Sequence, residues 1–170
     1  MKAVMCTEWG GPDKLTVGEA PEPELGPGEV RIGVKAAGVN FGDTLLIQGS
    51  YQVKPDFPFV PGMEAAGNVL EVGEGVDGIK PGDRVVGSTS LGAYAEQAVC
   101  KAASVVTLPA KMDYVTAASF PVAYGTSHVG LDYRAGLKEG ETLLVTGAAG
   151  GVGLTAVEIG AQMGARVIAA

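Results

Sequence analysis

The chain has 170 residues, of which 46% are hydrophobic and 18% charged, and it carries a formal net charge of −7. Such a composition supports a sizeable core, in one domain or two small ones, and excludes a disordered tail. The acidic balance, with no Lys/Arg cluster and no interleaving of basic and aromatic residues, argues against nucleic acid as a partner, because a polyanion meets net repulsion.

The first residues, MKAVMCTEWGG, offer one lysine and only four apolar residues in a row. That is far short of a signal-peptide core, and no window approaches a membrane span. The expectation is a cytoplasmic protein with no membrane partner. Cys6 and Cys100 stand alone, without a C-x-x-C pattern. Neither a disulfide framework nor a zinc knuckle is indicated, and both read as small buried hydrophobes.

In chain order, KAVMC (2–6) and KLTVGEA (14–20) read as two short strands around a Gly-Gly-Pro turn, and GEVRIGVKAAGVN (28–40) alternates like a half-buried strand. FGDTLLIQGSY (41–51) reads as a helical turn with Asp43 as N-cap and Gly49 as its stop. The segments 57–75, 80–90 and 92–109 read as strand pairs bounded by glycine or proline. At MDYVTAASFPVAYGTSHVGLDYRAGL (112–137) alanines at helical spacing replace the alternation, which places a domain boundary near residue 112. Asp113 is the expected cap there, Pro121 divides the region into two short helices, and Gly136 ends the second.

ETLLVTG (141–147) is a continuous apolar run, as a buried parallel strand requires, GVGLTAVEIGAQMG (151–164) is helical, and ARVIAA (165–170) is a second strand. These make one βαβ unit. Its turn holds Ala148, Ala149, Gly150, Gly151, Val152 and Gly153, which fit the dinucleotide pattern G-x-G-x-x-G with alanine in the first slot. The pattern has a mechanism: a tight turn, a residue without Cβ where pyrophosphate approaches the backbone, and a glycine where helix packs on strand. The strand before and the helix after supply the context that separates a coenzyme turn from a plain structural one.

Five stretches, GVNFGD (38–43), IQGSYQVKPDFPFVPGMEAAG (47–67), VGEGVDGIKPGDRVVG (72–87), GAYAE (92–96) and VTGAAGGVG (145–153), together span most of the chain in order. In them the chain resembles the zinc-independent quinone oxidoreductases of the medium-chain dehydrogenase/reductase superfamily. The resemblance implies a mixed β and α/β fold: a GroES-like β-barrel domain (1–112), then the first βαβ unit of a Rossmann domain (113–170). It also implies NADPH as coenzyme, an interdomain cleft, hydride transfer to a quinone or related conjugated carbonyl, and a homodimer. An enoyl-thioester reductase of the same superfamily is the alternative, and a β domain without enzymatic activity is a third.

Where zinc-dependent relatives place Cys, His and Cys, this chain has Asn40, Met63 and Val122. An amide, a thioether and an alkyl group do not form a zinc shell, so no metal is expected. By resemblance, Asn40, Tyr51 and Asp43 are the candidate catalytic residues, and Asn40, Thr126, Ala148, Gly150, Gly151, Val152 and Gly153 the coenzyme contacts. Plainer roles compete: Asn40 as a turn tie, Thr126 back-bonded within its helix, Tyr51 as packing and Asp43 as a cap. Glu64 is expected to meet a structural partner such as an arginine. His128, the only histidine, reads as a core or surface residue, and Tyr94 and Trp9 as packing residues. Leu45 and Gln48 depart from the tyrosine and arginine common among quinone reductases. One βαβ unit leaves apolar surface without partners, so the chain reads as the N-terminal half of a longer protein.

Overall fold

The computed structural model describes Met1–Ala170, which divide into two units, Met1–Ser119 and Phe120–Ala170. In the first unit, β1 (Lys2–Cys6) and β2 (Leu15–Glu19) form an antiparallel hairpin around a short 3-10 turn at Pro12–Lys14. Then come β3 (Glu29–Ala37), α1 (Phe41–Ile47), β4 (Glu64–Val72), β5 (Arg84–Ser88), β6 (Gln97–Lys101) and β7 (Val105–Thr107). These five strands make one antiparallel sheet in the order β6-β3-β4-β5-β7.

Alternation along β3 drives Val30 and Ile32 inward, where they meet Val69, Val85 and Cys100 in the main core. A second apolar cluster gathers Cys6, Leu46, Ile47 and Phe59 beneath α1. Both cysteines are buried as free thiols, and burial pushes the Cys100 thiol up to about 11. The stretch 57–75 supplies one long strand instead of a pair. Pro58 and Pro61 remove two donors from its first part, where Phe59 alone makes a bridge, to Cys6.

α2 (Tyr114–Ala118) is capped by Asp113, whose Oδ1 accepts from the Thr116 N–H at 2.8 Å. The division at Ser119/Phe120 falls later than the change of texture at residue 112. The reason is burial: Ala117 and Ala118 pack on Ala66 and Val86, which binds α2 to the sheet. Arg84 reinforces this, its guanidinium lying 4.8 Å from the Tyr114 ring centre and donating to the Tyr114 hydroxyl and the carbonyls of Pro109, Ala110 and Met112.

The second unit starts with α3 (Pro121–His128), where Pro121 takes a first-turn position that needs no N–H donor. A π-helical segment, Val129–Arg134, continues it. β8 (Thr142–Val145), α4 (Gly151–Gln162) and β9 (Arg166–Ala169) then form the βαβ unit, with β8 and β9 parallel and Leu143 beside Val167. No helix of the chain is long and apolar enough to cross a membrane.

Candidate functional site

Two clusters of candidate residues emerge, one in each unit. The first is built on the turn from β3 into α1. Asn40, in extended conformation, is the N-cap of α1, and Asp43 is its third residue. This corrects the expectation that Asp43 is the cap. The two form a capping box, in which the Asn40 side chain faces the Asp43 backbone N–H while Asp43 Oδ2 accepts from the Asn40 N–H at 2.9 Å.

Asp43 is only 3% exposed, and its Oδ1 is buried without a hydrogen-bond partner. In this structure the carboxylate grips its neighbours. Asp43 Oδ2 also accepts from the Tyr94 hydroxyl at 2.9 Å, and the same hydroxyl lies 3.2 Å from the Gly38 carbonyl oxygen. Burial first, then the Asp43 and Glu64 carboxylates, hold the Tyr94 phenol well above its ordinary range.

Asn40 remains half-buried, and its Nδ2 donates to Glu64 Oε1 at 2.7 Å. Glu64 opens β4 and is 1% exposed. The Asn40 amide is thus one structural partner of that carboxylate. Tyr51 and Met63 flank Gly42, and both pack against the Cys6, Leu46, Ile47 and Phe59 cluster. Trp9 is a packing residue as expected, its ring edge-on to Phe57 at 4.5 Å.

Tyr94 was expected only to pack, and its hydroxyl network corrects that. The ring is seated against Gly62, whose φ of +100° suits glycine and where a Cβ would come within 2.6 Å of the ring. Backbone bonds from Tyr94 N–H to the Pro61 carbonyl (3.0 Å) and from Ala93 N–H to the Gly62 carbonyl (3.3 Å) fix the approach.

The second cluster is the turn between β8 and α4. The residue in left-handed conformation is Gly147, with φ +70°. Gly147 therefore fills the tight-turn slot that the sequence pattern assigned to Ala148, and the spacing becomes Gly147, Gly150, Gly153. Gly150 is the N-cap of α4 in extended conformation, exposed, with only the Gly147 oxygen near the position of an added Cβ, at 3.4 Å. A Cβ on Gly153 would overlap the Gly147 carbonyl oxygen and lie 2.9 Å from Ala148 Cα. Ala149, Gly150, Gly151 and Val152 are all exposed, and the first N–H groups of α4 lack acceptors within the helix, as at any helix start.

Thr126 is exposed on α3. The residue after it carries a contact that the sequence reading missed. Ser127 Oγ is buried and donates to the Val152 carbonyl at 2.8 Å, beside Thr155 Oγ1 at 2.7 Å, which itself donates to the Ala123 carbonyl. This clasp fixes the first turn of α4 to α3. His128 is exposed, its Nε2 3.8 Å from Asp132 Oδ2, a surface pair one helical turn apart. No group of three His, Cys, Asp or Glu side chains is arranged to hold a metal ion.

Against known proteins, residues 26–110, half of the chain, match the family model for the alcohol dehydrogenase GroES-like domain. Quinone oxidoreductase-like protein 2 of Mus musculus is 44% identical over 170 residues, covering 99% of this chain and 48% of that protein. Among solved structures, mycobacterial Rv1454c complexed with NADPH superposes with a TM-score of 0.92 at 39% identity, covering 99% of this chain and 52% of its own. The quinone oxidoreductase of Thermus thermophilus, solved alone and with NADPH, gives 0.85 at 36% identity, with 99% of this chain and 52% of that chain covered. The chain thus spans about half the length of the curated relatives it matches. With half of its residues in the matched segment and these relatives around it, the chain belongs to the alcohol dehydrogenase GroES-like domain family.

Proposed function

We propose that the protein carrying this chain transfers a hydride from NADPH to a quinone or related conjugated carbonyl without zinc. The observation that carries this reading is the β8–α4 turn. Gly147 makes the bend, Gly153 lets the helix close on it, and Gly150 stands exposed at the helix start with room where a Cβ would be. Such a helix start, with unbonded N–H groups and the positive end of the helix dipole, suits a pyrophosphate. The relatives solved with NADPH support that choice of coenzyme.

When bound, NADPH supplies the hydride. Gly150, Gly151, Val152 and Gly153 hold its pyrophosphate, with Ala148 beside them in the turn, and Thr126 offers a hydroxyl. Asn40 meets the acceptor or the nicotinamide, and Tyr51 forms part of the wall. Asn40, Met63 and Val122 stand where zinc-dependent relatives have ligands, and none is a zinc donor. On the same resemblance, the protein is a homodimer.

The test is a coenzyme titration by fluorescence. Gly150→Val should weaken NADPH binding by ~2 kcal/mol or more, about 30-fold, because its side chain meets the coenzyme and not the protein. Chelator should leave quinone reduction intact. Unchanged affinity in Gly150→Val would reduce the turn to architecture, and turnover of enoyl thioesters in place of quinones would move the substrate to the other reductase class.

A further inference from the structure

Asn40 has four hydrogen-bonding positions, two acceptor sites on Oδ1 and two hydrogens on Nδ2. Glu64 Oε1 lies 2.7 Å from Nδ2. A carboxylate has no proton to give, so the atom facing it must be the nitrogen, which settles the orientation of the amide. The Asp43 backbone N–H is bonded to the Asn40 backbone carbonyl at 3.0 Å and so makes no competing demand on the amide. One Nδ2 hydrogen is left over on a half-buried side chain.

What prevents this arrangement from turning over is the floor beneath it. The Asn40 backbone N–H and the Tyr94 hydroxyl converge on one oxygen, Asp43 Oδ2, each at 2.9 Å. The other oxygen, Oδ1, is buried with no partner. Loss of the Tyr94 hydroxyl would therefore leave a buried carboxylate with a single donor, the Asn40 N–H, and the capping box without its support.

We propose that Tyr94, acting through Asp43 and together with Glu64, is a positioning residue that orients Asn40 so that one amide N–H is presented to the reacting carbonyl. This rests on the reading of Asn40 as the group that meets the acceptor. A donor held in place stabilises negative charge developing on the carbonyl oxygen as hydride arrives, and it does so without reorganisation at the moment of reaction. The expected loss on removing the Tyr94 hydroxyl is therefore in turnover, with acceptor binding little changed.

Labelling the protein with nitrogen-15 asparagine reads the Asn40 side-chain NH2 pair, identified by its absence from Asn40→Ala, with Asn68, bonded to Tyr114 and Gly82, as the internal control. In Tyr94→Phe the Asn40 pair should shift and the Asn68 pair stay, while kcat for quinone falls about tenfold and KM stays within about twofold. Asp43→Ala should move both readouts in the same direction, which guards against an accident of one variant. Unmoved Asn40 signals in a folded Tyr94→Phe overturn the positioning role. Undiminished turnover in Asn40→Ala would instead overturn the functional reading, and the positioning role with it.

Discussion

Replacing each glycine of the β8–α4 turn by alanine should give three different stabilities, and the structure sets their order. At Gly153 the backbone is helical, so alanine gains about 1 kcal/mol of helix propensity. Against that stands overlap of its Cβ with the Gly147 carbonyl oxygen and a 2.9 Å approach to Ala148 Cα, both backbone atoms that no rotamer change relieves. Overpacking of this kind costs up to about 3 kcal/mol, leaving a net loss of about 2 kcal/mol. For a chain of this size that is a drop in Tm of about 4–8 °C. At Gly147, φ of +70° costs alanine about 1 kcal/mol. At Gly150, φ −77° and ψ 162° suit any residue and the nearest atom is at 3.4 Å. Alanine there should be neutral or stabilise by a few tenths of a kcal/mol through the unfolded state. Circular dichroism melts of the three variants, with urea titration as a check, measure the order. If Gly153→Ala melts with the wild type while Gly150→Ala loses several degrees, the assignment of closure to Gly153 and openness to Gly150 is refuted.

Two other outcomes follow from the first unit. Arg84→Lys should lower stability by about 2 kcal/mol in urea titration, since a single ammonium cannot reproduce the planar fork that serves Tyr114 and three carbonyls. An unchanged urea midpoint would show that those bonds are replaced by water at no cost. The Tyr94 phenol is raised above its ordinary value of 10.0, so the folded chain keeps this proton where the unfolded chain releases it. The stability Tyr94 contributes is therefore complete below pH 10.0 and declines as pH rises beyond it. Urea midpoints of wild type and Tyr94→Phe should keep a constant gap from neutrality to that point and converge above it.

The strand and helix framework was legible because its signals are local. Val30 and Ile32 alternate with polar or small neighbours, Asp113 precedes a helical run, Pro121 blocks continuity, and an apolar run of strand length precedes the glycine turn. What stayed hidden depends on partners far along the chain, or on a choice that residue type leaves open. Asn and Asp are both good caps, so the sequence around Asn40 and Asp43 permits either as the N-cap. The hydroxyl of Tyr94 finds its purpose in Asp43 and Gly38, contacts that no periodicity announces. Similarly, GAAGGVG leaves either Gly147 or Ala148 as the tight-turn residue ahead of Gly150 and Gly153, and only the positive φ of Gly147 selects between them. The unit boundary moved past α2 because burial of Ala117 and Ala118 outweighed the change in texture before them.

The seat of the Tyr94 ring on Gly62 means that two segments of the chain, PGMEAAG and GAYAE, are halves of one joint. Any side chain at position 62 takes volume that both the aromatic ring and the Ala93 Cβ occupy, and the φ of +100° strains it besides. A smaller residue at 94 would therefore leave position 62 closed to substitution. The dependence runs one way: glycine is required at 62 whatever stands at 94, whereas Tyr94→Phe keeps the ring on its seat and takes away only the donor to Asp43.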